Sequence, residues 1–171
     1  QPKFYDDPIR LRPSVGVALG LAYTGYGGDV LEVECVSPGK GQAQGRVAYT
    51  GSLGDVMSES CRIAHSCLRA LAGSLGLDEK KLERQNLHVH FPAGAVPKDG
   101  PSAGIAIATA MISQLTGKPM KSKVAMTGEI TLTGEVLAIG GVREKVLAAK
   151  RLGIKTVLLP EETIRDIEQL D

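Results

Sequence analysis

At 171 residues, 43% of them hydrophobic, the chain can bury most of its surface around one core, which Val, Ile, Leu and Ala must fill because Trp is absent and aromatics make up only 4%. Twenty Lys and Arg against 19 Asp and Glu leave a net charge of +1, too weak a field to capture nucleic acid or an anionic membrane, so neither partner is indicated. No apolar run is long enough to cross a bilayer, and a start at Gln1-Pro2-Lys3-Phe4 is neither a signal peptide nor an initiator product, so the chain reads as a piece excised from a longer one.

Residues 15–23 and 30–36 read as strands that a glycine turn over residues 24–29 can join into a hairpin. A polar loop at 37–44 leads to a short strand at 46–49. Ser52, with Asp55 three positions on, gives a capping-box-like start to a helix over roughly 55–75, whose period places Val56, Ser60, Ile63, Cys67, Leu68, Leu71 and Leu75 along one side. Cys61 and Cys67 lie six apart on this helix and point in different directions. With Cys35 they make an odd three, so a reducing compartment is expected in place of a disulfide framework. A strand at 87–91 runs into a turn rich in Gly and Pro, and a helix carrying the apolar run 105–112 follows, with Gly117 as its stop. Strands at 124–127 and 130–137, a helix within 140–153, a strand at 156–159 and a terminal helix from Pro160 complete the chain. The near-repeat of Thr127-Gly128-Glu129 in Thr133-Gly134-Glu135 is too short for a repeat architecture and fits a hairpin. The pattern is a single α/β domain over residues 1–171, of mixed sheets with flanking helices.

Two segments carry chemistry. In Pro97-Lys98-Asp99-Gly100-Pro101-Ser102-Ala103-Gly104, Pro101 suits a first helical position and Ser102 stands at the start of a buried helix, where unpaired N–H groups and the helix dipole favour an alkoxide or a nearby oxyanion. Local capping alone also explains a Ser there. In the second segment, Val142, Val146, Ala149 and Leu152 form one apolar arc while Arg143, Glu144, Lys150 and Arg151 fall outside it, and Lys145 falls inside. A lysine aimed at a core either snorkels to water or has its pKa lowered, and in the second case it is a general base near neutral pH. Together, a helix-start serine and a core-facing lysine suggest a Ser-Lys dyad that attacks a carbonyl.

Val96-Pro97-Lys98-Asp99-Gly100-Pro101-Ser102-Ala103-Gly104 resembles the nucleophile motif of the A-type Lon proteases, and Thr127-Gly128-Glu129-Ile130 with Ile139-Gly140-Gly141-Val142-Arg143-Glu144-Lys145 resembles its partner segment. Gly27-Gly28-Asp29-Val30, the run from Tyr49 to Met57, His88-Val89-His90 and Gly153-Ile154-Lys155-Thr156-Val157 resemble further segments of that family in the same order, so the likeness spans nearly the whole chain. It implies that Ser102 is the nucleophile, that Lys145 is the general base, and that Thr127 orients the lysine amine. The separation of 43 positions, 145 minus 102, agrees with the family pattern. It further implies an ATP-dependent endopeptidase acting on unfolded or damaged proteins, assembled as a hexameric ring in its parent, and cytoplasmic or in the mitochondrial matrix. ATP and magnesium would act at a separate ATPase domain, with no cofactor or metal in this one.

Other residues admit two readings each. Asp99 either caps the turn before the helix or pairs with Lys145 in an inactive arrangement, and Glu129 either holds a nearby backbone group or cation or is a solvated turn carboxylate. Ala93 stands where many A-type relatives carry an acid, which puts any role of that acid in doubt here. His88 and His90 share one strand face, but no Cys or carboxylate nearby in sequence completes a zinc set. A Ser-His-Asp triad of Ser102, Asp99 and one of these histidines is a rival hydrolase. The family resemblance instead makes His88 and His90 structural, with His65 on a helix surface. A phosphate-binding module is a further alternative that the Gly-rich turns suggest, although no G-x-x-x-x-G-K-[ST] occurs and Gly39, Gly41 and Gly45 miss the dinucleotide spacing. A catalytically dead docking domain is disfavoured by the presence of both Ser102 and Lys145.

Overall fold

Two runs of alternating residues form the first pair of strands, β1 (Val17–Thr24) and β2 (Gly27–Val36), paired antiparallel from Val17↔Glu34 to Thr24↔Gly27. The structure is a computed structural model and describes residues 14–24, 27–39, 44–92 and 100–168. After the hairpin come β3 (Val47–Thr50), α1 (Asp55–Leu71), α2 (Glu79–Arg84), β4 (Leu87–His90) and α3 (Gly104–Thr116). Next are the short strands β5 (Val124–Met126), β6 (Glu129–Ile130) and β7 (Val136–Leu137), then α4 (Val142–Arg151), β8 (Thr156–Leu158) and α5 (Glu161–Glu168).

Six of the strands form one mixed sheet in the order β3-β4-β2-β1-β5-β8, and β6 and β7 make a separate hairpin. This is the α/β architecture of mixed sheets expected from the pattern. Because side chains alternate across a strand, β1 and β2 feed both faces of the sheet. Ala18, Val33 and Cys35 join the larger core beneath α1 and α3, and Leu19, Leu21 and Val30 join a smaller one with Ala125, Ala149 and Ile154 beneath α4. Among the described residues, no helix is long and apolar enough to cross a membrane.

The departures from expectation lie mostly at helix ends. Helix α1 stops at Leu71, not 75, and Leu75 is 47% exposed in the turns that follow. Gly54, not Ser52, is its N-cap, and Ser52 has a left-handed φ of 58°. Val56, expected on the apolar side, is exposed. His65, expected on the surface, is buried on the same helix as Cys61, Ala64 and Leu68, and its Nε2 has no hydrogen-bond partner among the described residues. Helix α2 was not expected at all, although Asp78 accepts a bond from the Lys80 N–H and is an ordinary N-cap. Pro101 does not open α3, which starts at Gly104 after an Ala103 cap, while Gly117 ends it in the left-handed conformation expected of a helix stop.

Helix α4 reaches the hairpin through Gly28, where any Cβ would collide with the Glu144 carbonyl. Close approach of strand and helix therefore needs glycine at this position. Gly28→Ala should destabilise the chain by about 1–3 kcal/mol in urea unfolding, since α4 must shift to admit the methyl. Burial, with help from the Arg69 charge, pushes the His65 pKa below its ordinary 6.5. The unfolded chain then binds the proton more readily than the folded one, so stability should fall as pH drops through 6.5. Urea midpoints between pH 7.5 and pH 5, compared with those of His65→Gln, check this: the variant should lose part of the acid-side decline.

Candidate active site

Ser102 lies two residues before α3, in a turn where the Gly104 N–H donates to the Pro101 carbonyl at 3.2 Å. The turn is tied to the segment after β5 that carries Thr127 by two backbone bonds. The Gly128 N–H donates to the Ser102 carbonyl at 2.9 Å, and the Ile105 N–H donates to the Gly128 carbonyl at 3.1 Å. Thr127 is itself held on the other side, where its N–H donates to the Leu158 carbonyl at 3.2 Å. The serine turn, the end of β5 and the end of β8 are thus locked together by main-chain groups, independent of the Ser102, Thr127 and Lys145 side chains.

Lys145 sits one turn into α4, with its own N–H bonded to the Gly141 carbonyl at 2.9 Å. It is 2% exposed, and its Nζ donates to the Thr127 Oγ1 at 3.1 Å, a residue only 1% exposed. Among the described residues no carboxylate pairs with this amine. A hydroxyl is a neutral acceptor and cannot offset the charge of an ammonium removed from water, so burial pushes the Lys145 pKa down to about 8. With that pKa roughly a tenth of the amine is unprotonated at pH 7, far more than for an ordinary lysine, and able to accept a proton.

The half-buried Ser102 hydroxyl donates to the Leu21 carbonyl at 3.4 Å. Ser102 and Lys145 belong to one region through Thr127 and Gly128, but no hydrogen bond joins their side chains. Glu129 is half-buried in β6, paired across the hairpin with Leu137. Asp99 and Ala93 lie outside the described residues. His88 and His90 both point at Thr50, whose Oγ1 is 2.9 Å from His88 Nε2 and 2.7 Å from His90 Nδ1. Neither histidine is bonded to Ser102, and among the described residues no three His, Cys, Asp or Glu side chains converge on a metal position. The Leu21 contact was invisible to sequence reading, because a main-chain acceptor carries no residue-type signal.

Comparison with known proteins points the same way. The chain matches the model of the Lon protease (S16) C-terminal proteolytic domain over residues 1–171. It is similar to the Lon protease of Halothermothrix orenii, 52% identical over 170 residues that make up 99% of this chain and 21% of the relative. It is likewise similar to those of Erwinia amylovora and of Escherichia coli strain K12, each 56% identical over 158 residues, 91% of this chain and 20% of the relative. The chain thus spans about a fifth of the length of these relatives. On a match along its whole length and relatives at more than half identity, the chain belongs to the Lon protease C-terminal proteolytic domain family.

Proposed function

We propose that this chain is the peptide-bond-hydrolysing domain of a longer, ATP-dependent protease, with Ser102 as nucleophile and Lys145 as general base. The observation that carries the reading is the buried Lys145 amine, held by one neutral hydroxyl and with its pKa down to about 8, on the far side of a backbone clamp from Ser102. In this mechanism the Ser102 hydroxyl turns from Leu21 toward Lys145, gives up its proton to Nζ and attacks the substrate carbonyl carbon. The resulting ammonium donates that proton to the departing amine, leaving an ester on Ser102. Water then attacks the ester while Lys145 takes a proton from it and returns one to the serine. Thr127 accepts from the amine throughout and keeps its lone pair aimed. Backbone N–H groups near Ser102 would stabilise the oxyanion; Pro101 has none to offer.

Family membership supports unfolded or damaged proteins as substrates and assembly into a ring, hexameric in the parent, with ATP and magnesium acting in a separate ATPase domain and the whole protein in the cytoplasm. The histidine-based alternative is disfavoured by geometry, since both candidate rings are bonded to Thr50.

A fluorophosphonate should label Ser102 and fail to label Ser102→Ala, and labelling should be lost or nearly so in Lys145→Ala. The neutral amine is the working form, so kcat for an unstructured peptide should rise with pH through about 8 and then level off. A rate flat from about pH 6 to about 9.5 would remove lysine from the base role. Lys145→Met should lower kcat by about 10²–10⁴-fold or more. The same substitution should raise stability at pH 7, because the fold lowers the lysine pKa and so disfavours the protonated form that the unfolded chain holds up to 10.5. The gain, on the order of 2–3 kcal/mol, should shrink as pH rises from 8 toward 10.5. A Met variant that is less stable than the parent at pH 7 would contradict this account of the buried amine.

A further inference from the structure

Lys145 is buried on a helix that has few apolar side chains of its own to hold it there. The other buried side chains of α4 are Ala148 and Ala149, while Val146 and Leu147 are exposed and Val142 is half-buried. Two alanines remove little apolar area from water, so side-chain burial alone holds α4 weakly against the sheet. Resting on the proposed Ser-Lys reading, we propose that Gly28 is a positioning residue for Lys145: its bare Cα is the seat for the peptide group that carries the lysine, and the depth of that seat keeps the amine on Thr127 and away from water.

Three contacts join α4 to the first two strands. A Cβ at Gly28 would collide with the Glu144 carbonyl and come within 2.9 Å of the Lys145 backbone nitrogen, and these atoms belong to a single peptide group. One turn earlier, Gly141 caps the helix with a left-handed φ of 73°, and its carbonyl accepts from the Lys145 N–H at 2.9 Å. A Cβ on Gly141 would lie 2.7 Å from the Tyr23 Cβ and 2.8 Å from its Cγ, so Tyr23 packs directly on this cap. At the last turn, the Arg151 guanidinium donates to the Gly28 carbonyl at 3.2 Å. Gly28 therefore acts twice, through its Cα beneath the first turn and through its carbonyl at the last, while Tyr23 steadies the start. The first two contacts fall on the main chain of α4, so they set the height of the helix above the strands whatever side chain stands at 145.

Backbone against backbone leaves no flexible side chain to give way, and a methyl at position 28 must displace the helix. Lys145 reaches Thr127 through one bond of 3.1 Å. A displacement of about 1 Å carries that bond past hydrogen-bonding range and admits water beside the amine. Water restores solvation of the ammonium, which is what burial withdrew in bringing the pKa from 10.5 to about 8. The shift on lifting the helix is therefore upward, back toward 10.5. Less of the amine is then neutral at pH 7, and the serine is activated less often. A glycine needed for packing alone would cost stability and leave the pH dependence where it was.

The test compares the 171-residue chain with Gly28→Ala and Tyr23→Ala. One readout is the rate of Ser102 labelling by a non-peptidic fluorophosphonate from about pH 6 to about 10.5. The other is the titration of the Lys145 amine, followed by NMR of carbon-13-labelled lysine and assigned by the signal lost in Lys145→Met. Gly28→Ala should titrate about one pH unit higher than the parent, label roughly tenfold more slowly at pH 7, and regain most of the parent rate above about pH 10. Tyr23→Ala loosens the cap without a clash and should move both readouts the same way by less; it decides the matter where Gly28→Ala does not fold. A lysine that titrates with the parent's midpoint in the folded variants, with labelling slowed by one factor at every pH, makes Gly28 a packing residue and overturns the proposal while the dyad stands. If the probe leaves Ser102 of the parent unlabelled, the dyad reading fails and takes this one with it.

Discussion

The constraint on which the site depends is a lysine amine buried with a hydroxyl as its partner and, among the described residues, no carboxylate. An ion pair would keep Lys145 charged at all relevant pH, and a solvated head would do the same. Only burial beside a neutral acceptor brings its pKa to about 8, and this requires α4 to be pressed against the sheet closely enough to exclude water. Much of the surrounding sequence serves that closeness: Gly28 lets the Glu144 carbonyl approach β2, and Ala148 and Ala149 are the other buried side chains on the helix. The arrangement opposes stability, as sites poised for chemistry often do, and the two cores of the sheet must offset it.

Much of this was legible in the residues. The hairpin of β1 and β2 showed in its alternation and glycine turn, and Gly117 showed as a helix stop because its left-handed conformation suits few other residues. Lys145 was legible as the one cation inside an apolar arc, although the arc itself was only partly right. Val146 and Leu152, which helped define it, are exposed at 36% and 41%, while Ala148, outside it, is buried. Small residues do the packing there because the helix lies so close to the sheet, and hydrophobic period gives weight to large side chains that close packing leaves at the rim.

Where sequence reading failed, a tertiary contact outweighed a local signal. Ser52 and Asp55 have the spacing of a capping box, but Gly51 lies against the Phe91 backbone, Ser52 takes a left-handed φ, and the N-cap position falls to Gly54. His65 was expected on the helix surface; its burial follows from its position beside Cys61 and Leu68 on the core side of α1. Pro101 looked like a first helical residue, and the chain instead uses it in the turn that holds Ser102 clear of the helix. That displacement matters for the chemistry: a serine inside the first turn would bond the free amides of α3, whereas here its hydroxyl is available to other partners.

The position of the site also follows from sheet topology. β1 and β5 run parallel and meet at a single pair, Gly20↔Met126, after which they separate. Leu21 follows on one strand and Thr127 on the other, so the acceptor for the serine and the acceptor for the lysine are neighbours of the last paired residues. Crevices beyond the carboxyl ends of parallel strands that part are where open α/β sheets place ligands, because main-chain groups there are released from the ladder and point into the gap. In this chain the released groups take on three duties: the Gly128 N–H pins the Ser102 turn, the Thr127 N–H pins the end of β5 to β8, and the Leu21 carbonyl holds the Ser102 hydroxyl. The first two bonds, at 2.9 and 3.2 Å, lie between backbone groups and fix the frame. The third, at 3.4 Å, involves a side chain that can turn, which makes it the one bond of the three that can open without disturbing the fold.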